Sequence, residues 1–148
     1  MLGIGQDRVF VLRGGRCMSI FGKDRPKGIK VALIDDEKEL VATIRDFLEP
    51  RNFLVSCAYD GLAGLEIIRE EKPDIVVLDI MMPGMDGRDV LLELKKDENT
   101  KDIPVIMLTA RDEQFEVEYG IELGAQAYLV KPYRARQLLK QIDNILNL

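Results

Sequence analysis

Five polar side chains stand directly after apolar runs of the chain. Asp35 and Asp36 follow residues 31–34, Asp79 follows 75–78, Thr109 follows 105–108 and Lys131 follows 127–130. Each has an ordinary structural reading. Asp36 with Glu39 matches a D-x-x-E variant of the capping box at a helix start. Asp79 precedes a Pro83-Gly84 turn, Thr109 can be a loop hydroxyl, and Lys131 can be a solvated lysine before Pro132. Taken together, they suggest chemistry. Three carboxylates brought to one place repel, and at least one is driven toward protonation unless a cation compensates. The chain has no histidine, and its two cysteines, Cys17 and Cys57, lack metal-ligand spacing. An oxygen-only ligand set favours Mg²⁺, with Mn²⁺ also compatible, over zinc. A carboxylate, a hard cation, an ammonium and a hydroxyl are the parts of phosphoryl transfer to an aspartate. Asp79 would attack phosphorus and become an acyl phosphate. The cation and Lys131 would neutralise the phosphoryl oxygens while Thr109 donates a hydrogen bond.

Composition removes the main competitors. Without histidine there is no Ser-His-Asp triad, no HExxH zinc site and no phosphohistidine on this chain. The cysteine usage fits a reducing, cytoplasmic compartment. No apolar run reaches the ~18 residues of a membrane helix. Asp7, Arg8, Arg13 and Arg16 break up the start of the chain, against a secretory signal peptide. At 148 residues, 47% hydrophobic and 32% charged, the chain reads as one globular domain. Its net charge of -5 is uneven. Residues 1–28 hold six basic side chains against Asp7 and Asp24, a net of +4, which leaves -9 on the body, residues 29–148. An acidic body argues against direct nucleic-acid binding. The basic, Gly-rich leader is expected to be a mostly disordered extension, its one strand-like run at 9–12; an anchor or an added edge strand is the functional alternative. Met18 offers an alternative start.

The body must position the five groups. Apolar runs at 31–34, 54–58, 75–78, 105–108 and 127–130 alternate with helical patterns. The first helix carries Leu40, Val41, Ile44, Phe47 and Leu48 and is expected to stop at Pro50. The second, over 61–71, carries Leu62, Leu65 and Ile68, and the third Val90, Leu91 and Leu94. A fourth carries Phe115, Tyr119 and Leu123 with Gly124 as its stop, and the last Leu138, Ile142, Ile145 and Leu146. Strands without polar alternation are buried on both faces, so the pattern predicts an α/β fold with a parallel sheet between helix layers. In such sheets ligands bind beyond the carboxyl ends of the strands, where the five groups fall.

The stretches VALIDD at 31–36, DIVVLDIMMPGMDG at 74–87, IMLTA at 106–110 and YLVKP at 128–132 resemble the receiver domain of two-component response regulators. The resemblance runs over the whole body. It implies a flavodoxin-like (βα)₅ three-layer sandwich with sheet order 2-1-3-4-5. It implies Asp79 as phosphoacceptor, with Asp36 and Asp79 holding Mg²⁺ through their side chains and Met81 through its backbone carbonyl. Asp35 would help through a bound water, Lys131 would pair with a phosphoryl oxygen, and Thr109 and Tyr128 would form the switch. A cis Lys131–Pro132 peptide is also implied. The partners would be a histidine kinase or phosphotransfer protein and a downstream protein target, with no nucleic acid and no membrane. The expected protein is a stand-alone receiver, its catalysis limited to its own phosphorylation and dephosphorylation. One rival is a phosphohydrolase with Asp79 as nucleophile, but DxD phosphatases place a general acid where this chain has Met81. Another is a fragment of a hybrid kinase or transcription factor.

Overall fold

The computed structural model describes the backbone of residues 3–5, 8–13 and 16–19, and residues 26, 28–110 and 124–148 with their side chains. Three leader strands, β1 (Gly3–Gly5), β2 (Arg8–Arg13) and β3 (Arg16–Ser19), pair antiparallel in a sheet of their own. The leader, expected as mostly disordered, thus has paired backbone, and the 9–12 run lies within β2. Arg13 pairs with Arg16 across the Gly14-Gly15 dipeptide, a composition that favours two-residue hairpin connections.

The body forms the expected parallel sheet. Its strands are β4 (Ile29–Ile34), β5 (Phe53–Ala58), β6 (Ile75–Asp79), β7 (Val105–Thr109) and β8 (Ala127–Val130). Their order is β5-β4-β6-β7-β8, which is 2-1-3-4-5 counted within the body. Successive residues of a strand point to opposite faces. Val31, Leu33, Val77 and Ile106 therefore meet α1 (Lys38–Leu48) and α4 (Ala135–Leu146) through Val41, Ile44, Leu138 and Ile142. Ala32, Ile34, Val76 and Met107 meet α2 (Gly61–Glu71) and α3 (Gly87–Lys96) through Leu65, Ile68, Val90 and Leu91. Both faces are covered, so β6 and β7 are buried at every position. The outer strands are less enclosed, and Leu54 of β5 is exposed.

Local signals explain most of the ends. The Asp60 carboxylate accepts from the Ala63 N–H at the start of α2, and Asp86 accepts from Arg88 and Asp89 N–H at the start of α3. Pro50 does not end the chain's helical turn outright. After α1 the chain tightens into a 3-10 turn over Glu49–Arg51, and Asn52 leaves it at φ 72°. The Asp36–Glu39 capping box does not form. The cap position of α1 is Glu37, without a side-chain cap bond, and Asp35 rather than Asp36 accepts from a backbone N–H there. The predicted helix carrying Phe115, Tyr119 and Leu123 lies outside the described residues, whereas Gly124 after it adopts φ 98°. Gly87 is required by packing. A Cβ there would sit 2.1 Å from the Asp79 carbonyl oxygen.

Candidate functional site

Strand register brings the polar groups to one edge. Ile34 pairs with Leu78, and Asp79 with Leu108, so Asp35, Asp79 and Thr109 emerge on neighbouring strands. Asp79 and Thr109 are the last residues of β6 and β7 rather than the first of their loops. This holds their backbones in the sheet while their side chains meet the edge. Asp35, Asp79 and Thr109 are all buried. The Lys131 N–H donates to the Thr109 carbonyl at 2.6 Å, which places β8's exit beside β7's. The Lys131–Pro132 peptide is cis, as the resemblance implies.

Lys131 is the hub. Its Nζ lies 2.7 Å from Asp35 Oδ2, 2.9 Å from Glu37 Oε1 and 3.4 Å from Asp79 Oδ2. The Asp35 contact is an ion pair without hydrogen-bond alignment, while Asp35 Oδ1 accepts from the Glu37 N–H at 2.9 Å. Burial disfavours the ammonium, but Asp35 and Glu37, then Asp79, outweigh it and hold Lys131 above the usual lysine pKa. Asp79 moves the opposite way from an ordinary paired carboxylate. Burial is the largest cause and the Asp35 charge the next, so that, despite Lys131, its pKa is pushed up to about 7. One ammonium does not balance the carboxylates that converge here.

The imbalance suits a cation. Asp35, Asp36 and Asp79 each offer a carboxylate oxygen, and these oxygens lie within 4.8 Å of one another. Asp36 is exposed, which leaves the cluster open to solvent on one side. A hard divalent ion with oxygen ligands and retained waters fits that donor set. Beside the cluster, a cavity of about 390 Å³ is lined by Glu37, Leu40, Ala110, Lys131, Pro132 and Tyr133.

The family model for the response regulator receiver domain matches residues 31–143. The chain belongs to the response regulator receiver domain family. Solved receiver structures agree with this one. A response regulator from Chloroflexus aurantiacus is 29% identical, with a TM-score of 0.77 over 82% of this chain and 100% of that one. The receiver domain of the Francisella response regulator 1452 is 33% identical, with a TM-score of 0.72 over 79% and 94%. The chemotaxis protein CheY4 of Vibrio cholerae is 27% identical, with a TM-score of 0.75 over 78% and 97%. The fold is that of these flavodoxin-like receivers, and a receiver domain is the response-regulator module of two-component signalling. Among the described residues of this receiver, no helix is long and apolar enough to cross a membrane.

Of the residues singled out in sequence, Asp35, Asp36, Asp79 and Lys131 form one cluster. Thr109 ends β7 beside it. Tyr128 pairs with Met107, two positions back from the Thr109–Val130 pair, and packs on the α2–α3 face. Met81 is exposed in the loop after Asp79. Two neighbours went unnoticed in sequence. Glu37 bonds Lys131 across 94 residues; its only sequence signal is adjacency to the Asp35-Asp36 pair. The Tyr133 hydroxyl is buried with no hydrogen-bond partner among the described residues, and its pKa is pushed up to about 12 by burial and then by the Asp35 charge.

Proposed function

We propose that this receiver accepts a phosphoryl group on Asp79 from a phosphohistidine of a histidine kinase or phosphotransfer protein, in a Mg²⁺-dependent reaction. The phosphorylated form would then signal to a protein partner in the cytoplasm. The observation that carries the reading is the meeting of a buried carboxylate, Asp79, with the Lys131 ammonium at 3.4 Å beside two further carboxylates. A carboxylate oxygen of Asp79 forms the new bond to phosphorus. The P–N bond of the donor breaks, its electron pair returns to the imidazole, and that ring takes up a proton as it leaves. Lys131 would offer an ammonium to the transferred oxygens, and the Thr109 hydroxyl would donate to one of them. Asp35, Asp36 and Asp79 would hold Mg²⁺, or Mn²⁺ in its place, with the Met81 carbonyl, and the bound ion supplies charge neutralisation for the phosphoryl group.

Asp79 titrates near neutrality without a cation, so a bound cation also serves to keep the nucleophile ionised. The hydrolase alternative lacks its acid, since Met81 carries a thioether where a proton donor is needed. Incubation with acetyl phosphate and Mg²⁺, followed by intact mass measurement, tests the proposal. Wild type should gain one phosphoryl group that Asp79→Asn does not. Equal labelling of the two would overturn the assignment.

A further inference from the structure

Lys131 has three N–H donors, and three carboxylates already stand around it. The longest contact, 3.4 Å, is the one to Asp79, beyond the usual N–H···O range. A phosphoryl group on Asp79 would bring anionic oxygens that need this ammonium. Moving toward them stretches its two shorter contacts, of which the one to Glu37 is an aligned hydrogen bond and the one to Asp35 a buried ion pair. Asp35 has a side chain 1% exposed, and stripping its ion pair would strand a buried charge. The Glu37 side chain is 60% exposed, so water can take over its solvation at small cost. Glu37 is therefore the partner that yields.

We propose that Glu37 is a positioning residue that holds Lys131 back from Asp79 in the resting protein, and that phosphorylation makes Lys131 exchange Glu37 for the phosphoryl group. The inference rests on the phosphoacceptor reading. It assigns the resting contact a direction: Glu37 slows phosphoryl arrival by occupying the ammonium. It also gives the exchange a structural output. Glu37 is the cap residue of α1 and lines the 390 Å³ cavity with Leu40, Pro132 and Tyr133, so its release changes the start of α1 and the mouth of that cavity.

The test compares Glu37→Gln with wild type. Glu37 makes no side-chain cap bond to α1, so the substitution leaves the helix start its backbone bonds. With acetyl phosphate and Mg²⁺, Glu37→Gln should label faster by about two- to five-fold, the scale of a largely exposed ion pair. Glu39→Gln removes the same unit charge from an exposed carboxylate with no ion pair to Lys131 among the described residues, and should leave the rate unchanged. Backbone NMR supplies the second readout. Beryllium fluoride with Mg²⁺ should shift the amides of residues 37–41 in wild type and much less in Glu37→Gln, where the contact is already gone. Equal rates and equal α1 shifts in wild type and Glu37→Gln would overturn the exchange, and so would equal acceleration by Glu39→Gln, which would make the effect one of general field. Failure of all three proteins to label would instead defeat the phosphoacceptor reading.

Discussion

The two ends of the parallel sheet both carry charge, and they handle it in opposite ways. At the amino end, the Asp74 carboxylate accepts from the Lys30 N–H at 2.8 Å, the Asp74 N–H donates to the Lys30 carbonyl at 2.9 Å, and both residues are exposed. The small cavity there, about 340 Å³, is lined by Asp74 with Pro26, Gly28, Ile29, Leu146 and Leu148. Its polar groups are satisfied locally. At the carboxyl end, Asp35 and Asp79 are buried, and four carboxylates crowd near one ammonium. Similar residue types stand in both places. The difference lies in whether water reaches the charge. At the amino end it does, and both side chains stay exposed. The carboxyl end buries negative charge in excess of its one ammonium, an excess that suits a divalent cation.

The largest expected break in this contrast is loss of the hub. Lys131→Met leaves Asp35 and Asp79 buried without their counter-charge, a change that costs about 3–5 kcal/mol on the scale of broken buried pairs. Proton uptake by Asp79 softens the loss below pH 7. Lys30→Met, at the exposed end, should cost under about 0.5 kcal/mol. Urea unfolding at pH 8 without divalent ions measures both, and equal midpoints would show that the two edges do not differ in energy.

A smaller effect, with its own sign, comes from Asp79 itself. Its pKa is raised from 3.8 to about 7 in the folded state. Between those values the native protein binds more protons than the unfolded chain, so stability falls as pH rises through the window and stays low above it. Asp79→Asn should remove that slope and melt higher than wild type at pH 8 in the absence of divalent ions. Mg²⁺ should narrow the gap, because a ligand that binds only the native state stabilises it. Thermal melts from pH 4 to 8 decide the matter, and parallel curves for wild type and Asp79→Asn would remove the excess charge from the account.

The sheet was legible in sequence because burial on both faces leaves continuous apolar runs, and residues 75–78 and 105–108 have no other economical reading. The cluster was legible because those runs end in Asp79 and Thr109. Glu37 was not legible. At the β4–α1 junction three consecutive acids take three environments: Asp35 turns inward, Asp36 stays exposed, and Glu37 reaches a lysine 94 positions away. No periodicity encodes that divergence, since it is set by where the β8 exit lies. The capping reading failed at the same junction, where Glu37 rather than Asp36 is the cap position and Asp35 accepts from the Glu37 N–H. The composition of the leader carries two readings. Its glycines suggested disorder, while Gly14-Gly15 between alternating residues was a hairpin signal.

The smallest expected effect concerns the switch, and here energetics bound what one residue can do. Thr109 and Tyr128 lie on the same face of neighbouring strands, Thr109 opposite Val130 and Tyr128 opposite Met107. A phosphoryl group on Asp79 should draw the Thr109 hydroxyl toward it and leave space for Tyr128 to turn inward. Moving an equilibrium from 1:99 to 99:1 takes about 5.5 kcal/mol of differential interaction. One hydrogen bond to a charged group supplies roughly 1.5–3 kcal/mol. The Thr109 contact therefore cannot complete the transition alone. Lys131 must contribute through its change of partner, or the resting protein must already visit the active form at about the per cent level. Thr109→Ala should still accept phosphate on Asp79 but respond only in part. With beryllium fluoride and Mg²⁺, the amide shifts of residues 124–130 should fall well below those of wild type. Shifts of full size in Thr109→Ala would take Thr109 out of the switch and leave the carboxyl edge to act through Lys131.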